Sequence, residues 1–100
     1  MSTEMPILEA LYQAQRPRGL SLVAVSVGCT PAVAGEVARD AGVTFPFLVD
    51  ELGLSAERFG VSVYPTVFVL DDGGVIRARL AGEARHGALA DAIAPLLDRA

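Results

Sequence analysis

One cysteine, Cys29, occurs in the 100 residues, and that scarcity excludes more chemistry than any residue present supplies. A single thiol cannot close a disulfide within the chain, cannot complete a dithiol pair and cannot build a thiolate zinc cluster. Basic charge is scarce as well. Eight Lys and Arg stand against twelve Asp and Glu, for a net charge of -4, and without a basic cluster to neutralise phosphates no nucleic-acid partner is expected. No apolar run approaches the length of a bilayer span, and the first residues lack a basic segment followed by an apolar one. The chain as written is therefore expected to carry no membrane span and to be cytoplasmic. There is no Gly-rich phosphate loop, and neither a metal nor a cofactor is expected.

What is present reads as one small globular domain over residues 1–100. Hydrophobic residues make up 52% of the chain and charged ones 20%, a balance that supports a core rather than disorder. At this length folding removes about two thirds of the exposed surface from water, enough for a core with little margin. Ser2 or Thr3 can cap a first helix, and Pro6 is tolerated because it falls in the first turn. Ile7, Leu8, Leu11 and Tyr12 then share a face, while Glu9, Gln13 and Arg16 fall outside it. Arg16-Pro17-Arg18-Gly19 ends that helix. Residues 20–27, rich in Val and Leu and free of charge, suit a strand buried on both faces of a parallel sheet. Thr30 and Pro31 read as the N-cap and first position of a second helix, which ends at Asp40-Ala41-Gly42. Residues 45–49 form a short apolar segment entering Asp50, and residues 55–59 a brief helical turn closed by Gly60. The last helix covers residues 87–99, with Leu89, Ile93, Leu96 and Leu97 at core spacing and Pro95 predicting a kink.

The most informative stretch is residues 60–74. Pro65 stands directly ahead of a β-branched and aromatic run, residues 66–70, which stops at Asp71-Asp72-Gly73-Gly74 before a second strand, residues 75–80. Proline lacks an N–H, so it can open a strand but cannot sit inside a central one. An X-Pro bond at such an entrance is also where a fold locks in a cis peptide. Arg77 and Arg79 alternate with Ile76, Ala78 and Leu80, which marks the second strand as an edge guarded by charge. The element order is α-β-α-β-β-α, without repeats or linkers.

Glu4-Met5-Pro6, residues 19–28, residues 42–50, Tyr64-Pro65-Thr66 and Asp72-Gly73-Gly74-Val75-Ile76 together cover almost the whole chain. In this order and spacing the sequence resembles the TlpA/ResA branch of membrane-tethered or periplasmic thioredoxin-like thiol-disulfide oxidoreductases, and secondarily the redoxin (AhpC/TSA) group. The resemblance implies an α/β thioredoxin-like sandwich lacking its first, central strand. The family pattern C-x-x-C-x-x-E-x-P, anchored on Glu4 and Pro6, puts its second cysteine at Met1 and its first before the chain begins. It thus implies an N-terminally truncated domain whose natural form is longer, and periplasmic or membrane-tethered. The absent strand would lie between residues 20–27 and 66–70, which are expected to run parallel to one another. Its loss leaves backbone groups unpaired at a cost of about 1–3 kcal/mol each when buried. Three outcomes follow: the flanking strands pair directly, another chain supplies a strand, as in a homo-oligomer formed by strand addition, or the longer form supplies the strand.

The resemblance assigns substrate binding to Tyr64, Pro65 and Thr66, with Pro65 holding a peptide by backbone pairing beside the reactive thiol. It matches Glu4 to a family glutamate that steers thiol ionisation. With no thiol close by, Glu4 reads instead as a first-turn carboxylate favouring the helix N-terminus. Cys29 is the one candidate nucleophile. It follows the strand at residues 20–27 and precedes the Thr30-capped helix, where a helix N-terminus can lower a thiol's pKa and where parallel sheets gather functional loops. It lacks a basic neighbour in sequence and a resolving partner, so an inert thiol is the favoured reading. His86 has no Ser, Cys or metal-ligand companion and reads as a surface residue at a helix start. Asp50, Glu51, Asp71 and Asp72 read as turn carboxylates. The expected function is that of a thiol-disulfide oxidoreductase-family domain acting on protein thiols, disulfides or peptides, with exchange only in a longer form carrying C-x-x-C. The alternative is a redox-inactive thioredoxin-like module that binds proteins or peptides.

Overall fold

The structure, a computed structural model, describes residues 4–82 and 86–98. Helix α1 (Glu4–Gln15) turns its apolar stripe inward, with Leu8 and Leu11 buried and Ile7 and Tyr12 half-buried. Glu9, outside that stripe, anchors a loop. Its carboxylate accepts from the Thr44 backbone N–H at 2.8 Å, the Thr44 hydroxyl at 2.7 Å and the Gln13 amide at 2.9 Å. This tie sits next to Phe45, whose buried ring meets Tyr12 edge-on at 5.9 Å. A 3-10 turn (Arg16–Arg18) then ends at Gly19 with φ 102°, a left-handed conformation that glycine adopts without a Cβ clash. The Ser2 or Thr3 cap lies outside the described residues.

Of residues 20–27 only Ala24–Val27 form a strand, β1. It is not buried on both faces: Val25 is 46% exposed and the preceding Val23 53%. Helix α2 (Pro31–Ala41) follows with the expected ends. The Thr30 hydroxyl accepts from the Val33 N–H at 3.3 Å, and Gly42 closes the helix in the left-handed region. The apolar segment ahead of Asp50 is a second strand, β2 (Phe47–Asp50), parallel to β1 with Ala24 opposite Phe47 and Val27 opposite Asp50. The helical turn beyond it is a short helix, α3 (Leu54–Phe59), closed at Gly60. The order is therefore α-β-α-β-α-β-β-α, one strand and one helix more than α-β-α-β-β-α. Four strand residues and six helical ones are too few for periodicity to declare them. Asp50 supplies the missing start signal from a distance, because its carboxylate accepts from the N–H groups of Leu54 (2.9 Å), Ser55 (2.9 Å) and Ala56 (3.3 Å) and from the Ser55 hydroxyl.

Strands β3 (Thr66–Leu70) and β4 (Ile76–Ala81) form the antiparallel hairpin, with a register irregularity between Val69 and Leu70. Helix α4 (His86–Ile93) gives way at Pro95 to a 3-10 turn (Ala94–Leu96), which is the expected kink. Asp98 then returns to the end of α1, pairing with the Arg18 guanidinium at 2.7 Å.

The strands make two separate pairs, β1 with β2 and β3 with β4, and no ladder joins the pairs among the described residues. β1 spends its pairing on β2, so residues 20–27 are not a ladder partner of residues 66–70. Nor have β1 and β3 closed on one another. One core still serves both halves. Leu8, Leu11, Phe45, Val69, Leu89 and Ile93 form it, joined by Leu22, Ala24 and Phe47 from one side and Val67, Ala78 and Leu80 from the other. Helices α1 and α4 pack together, α4 also meets β4, and α2 and α3 pack against β2. The architecture is an α/β sandwich whose strands, among the described residues, form two separate pairs.

Candidate functional site

The strongest candidate is the loop that enters β3. The Tyr64–Pro65 peptide is cis. The Pro65 carbonyl accepts from the Gly82 N–H at 2.8 Å, which clamps the loop to the end of β4, and the Thr66 hydroxyl donates to the Val63 carbonyl. Just before it in the chain, the Phe59 ring meets Phe68 edge-on at 5.1 Å. The Arg79 guanidinium lies 5.5 Å over the Phe68 ring and donates to the Gly60 carbonyl at 2.8 Å. The end of α3, the loop and the hairpin are thereby tied to one another. Pro65 and Thr66 are half-buried on this base, whereas Tyr64 is 58% exposed and Val63 48%. An apolar rim on a held backbone suits the binding of a chain segment. Residues 60–66 contain no thiol, imidazole or carboxylate, so the loop itself has no group for thiol exchange.

Cys29 lies in the loop between β1 and α2, half-buried and free. Its position beside the Thr30 cap is the one the sequence indicated, but no hydrogen bond or ion pair among the described residues joins it to the Pro65 loop. Glu4 opens α1 and His86 opens α4. Tyr64, Pro65 and Thr66 are thus brought into one built loop, while Cys29 and Glu4 stand on other elements.

Three carboxylates are held below the ordinary range, each by donors of its own neighbourhood. The Ser55 hydroxyl leads for Asp50, followed by the N–H groups that open α3. The Val75 N–H leads for Asp71, with Arg77 adding to it. The Gln13 amide leads for Glu9, with Thr44 adding to it. Every one of them organises a turn or loop, so none is a free acid or base. Arg77, expected as an edge guard, is engaged at 2.8 Å with Asp71 in the hairpin turn.

The model of the AhpC/TSA family matches residues 1–79. The chain belongs to the AhpC/TSA family. Among relatives, this AhpC/TSA chain is 30% identical over 79 residues to the thiol-disulfide oxidoreductase ResA of Geobacillus thermodenitrificans (strain NG80-2), a match covering 79% of this chain and 45% of the relative. It is 37% identical over 79 residues to the thioredoxin-like protein YneN of Bacillus subtilis (strain 168), covering 74% of this chain and 44% of the relative. The chain therefore spans less than half the length of these relatives. In three dimensions, 92% of it superposes on 67% of a thiol:disulfide interchange protein DsbE from Chlorobium tepidum, with a TM-score of 0.86 at 21% identity. For StoA from Bacillus subtilis the figures are 89% and 69%, with a TM-score of 0.75 at 23% identity. These superpositions establish the thioredoxin-like fold, and the sequence matches show similarity to ResA and YneN over less than half of their lengths. No helix of the described residues is long and apolar enough to cross a membrane.

Proposed function

We propose that this chain is the substrate-presenting part of a ResA-type thiol-disulfide exchange domain. In this reading residues 1–100 belong to one domain, and Tyr64, Pro65 and Thr66 bind an extended segment of a protein substrate. Exchange is carried out by a C-x-x-C pair in a longer form of the protein, periplasmic or membrane-tethered, with Glu4 on the helix that follows the pair. The observation that carries the proposal is a family match over residues 1–79 in a chain whose only cysteine is Cys29. In disulfide exchange a thiolate attacks one sulfur of the substrate disulfide, forming a mixed disulfide and expelling the other sulfur as thiolate. A second thiol then attacks the enzyme's sulfur, which releases the reduced substrate and leaves the enzyme oxidised. One cysteine supports the first of these steps and not the second.

The test compares this chain with a form extended upstream of Glu4 to include a C-x-x-C pair, using dithiothreitol-coupled reduction of insulin. The extended form is expected to turn over, with KM raised severalfold by Tyr64→Ala. Turnover untouched by substitutions at both Tyr64 and Pro65 would overturn the loop's assignment. The exposed rim of Val63 and Tyr64, on a loop that itself holds no thiol, favours one second reading, a redox-inactive module that binds peptides. Thiol-independent binding of a cysteine-free unfolded protein by this chain, lost in Tyr64→Ala, would support that reading.

A further inference from the structure

Among the described residues Arg79 makes no ion pair, although it stands on the outer strand of the hairpin, where a charge needs nothing but water. It faces Phe68 across the ladder, so the two side chains share a face. That face is not the core's. Val67 and Val69 alternate with Phe68 and pack into the core with their partners Leu80 and Ala78. On the opposite face the guanidinium lies 5.5 Å over the Phe68 ring and donates to the Gly60 carbonyl at 2.8 Å, and the Phe59 ring meets Phe68 edge-on at 5.1 Å. A guanidinium can do both at once, because it is planar, with its donors in the plane and a ring below it.

Gly60 is where this brace matters. With φ 69° it ends α3 and starts the segment that leads to Pro65. The Val61 N–H closes onto the Ala56 carbonyl at 2.8 Å, and at the far end the Gly82 N–H holds the Pro65 carbonyl at 2.8 Å. Between these anchors the N–H groups of Ser62, Val63 and Tyr64 make no hydrogen bond among the described residues, and all three residues are exposed. Where Val63 and Tyr64 stand is therefore set by the two ends of the segment rather than by bonds of their own. Arg79 and Gly82 lie on and just beyond β4, so one strand sets both ends.

We propose that Arg79 is a positioning residue for the substrate loop: through Phe68 and the Gly60 carbonyl it fixes the place from which Val63 and Tyr64 meet a bound chain segment. The inference rests on the reading of Tyr64, Pro65 and Thr66 as a substrate site, and it assigns that site a residue outside the loop. In this role Arg79 touches neither substrate nor thiol, so it acts on binding and not on the exchange of sulfur. Arg77, two positions earlier on the same strand, is engaged with Asp71 in the turn and has no such part.

Arg79→Met separates the brace from packing, since methionine keeps an unbranched stem against Phe68 and removes the charge and the donors. Arg77→Met is the control. In this chain, amide exchange followed by NMR at Val61 and Gly82 is expected to speed up about two- to fivefold in Arg79→Met, the loss of a cation–π contact at an exposed site, and to stay at the parent rate in Arg77→Met. In the longer form carrying C-x-x-C, insulin reduction is expected to show KM raised by a similar factor in Arg79→Met with kcat unchanged, and both constants unchanged in Arg77→Met. Exchange at Val61 and Gly82 equal to the parent's would overturn the brace whatever the loop binds. Faster exchange with an unchanged KM, in a protein whose KM does rise in Tyr64→Ala, would reduce Arg79 to a structural clip and overturn the positioning role. A KM also unmoved in Tyr64→Ala would remove the substrate reading itself, and this role with it.

Discussion

Asp71 shows how much one residue can hold in this chain. Its carboxylate accepts from the N–H groups of Gly73 at 2.9 Å and Val75 at 3.0 Å and from Arg77 at 2.8 Å, so turn and outgoing strand depend on one charge. An aspartate ahead of Gly-Gly was legible as a turn residue, since its side chain bonds the backbone just after it. Its hold on Arg77 was not, because alternation along a strand says which face a side chain takes and not what it meets. Glu9 was less legible still, because Thr44, which donates to it twice, is 35 positions away. Asp50, Asp71 and Glu9 all have pKa values lowered by folding. Their contribution is thus present above the unfolded carboxylate pKa, about 4, and is lost as pH falls through the lower folded values. Thermal midpoints measured by circular dichroism should fall as pH drops below about 4, and should fall less steeply in Asp71→Asn than in the parent. An acid limb as steep in Asp50→Asn and Asp71→Asn as in the parent would contradict these assignments.

Among the elements, α1, α2 and the hairpin were legible because each carries its own signal: a 3.6-residue apolar stripe, a Thr-Pro start with a Gly end, and a run of β-branched residues before Asp-Asp-Gly-Gly. β2 and α3 were not, because β2 is defined by pairing with β1 and α3 begins under Asp50 rather than under an adjacent cap. The Pro65 loop was legible as a strand entrance, while its clamp to Gly82 depends on the far end of β4. Removing the α2 cap with Thr30→Ala should cost about 1 kcal/mol. Leu11→Ala, which opens the contact of α1 with the shared core, should cost about 2–5 kcal/mol. Urea unfolding checks both, and a Leu11→Ala midpoint equal to the parent's would remove α1 from the core.

At the scale of the molecule, the core is thin. The apolar residues buried among the described residues are Leu8, Leu11, Ala34, Phe45, Ala56, Val69, Leu89 and Ile93, while Val23, Val25, Leu48 and Ile76 are exposed. The radius of gyration, 13.4 Å, is close to the value of about 13 Å for an ordinary domain of 100 residues, so the halves have not separated. The family order made a gap between the halves legible, but whether the strands would close over it is a matter of helix packing across the seam, which no local pattern records. A thioredoxin-like fold is present here with one thiol, where disulfide exchange with release of the substrate needs two. Dithiothreitol-coupled insulin reduction by this chain and by Cys29→Ser tests it directly. Both should precipitate insulin at the rate of dithiothreitol alone; turnover above that rate, abolished by Cys29→Ser, would contradict the account and make Cys29 a catalytic centre.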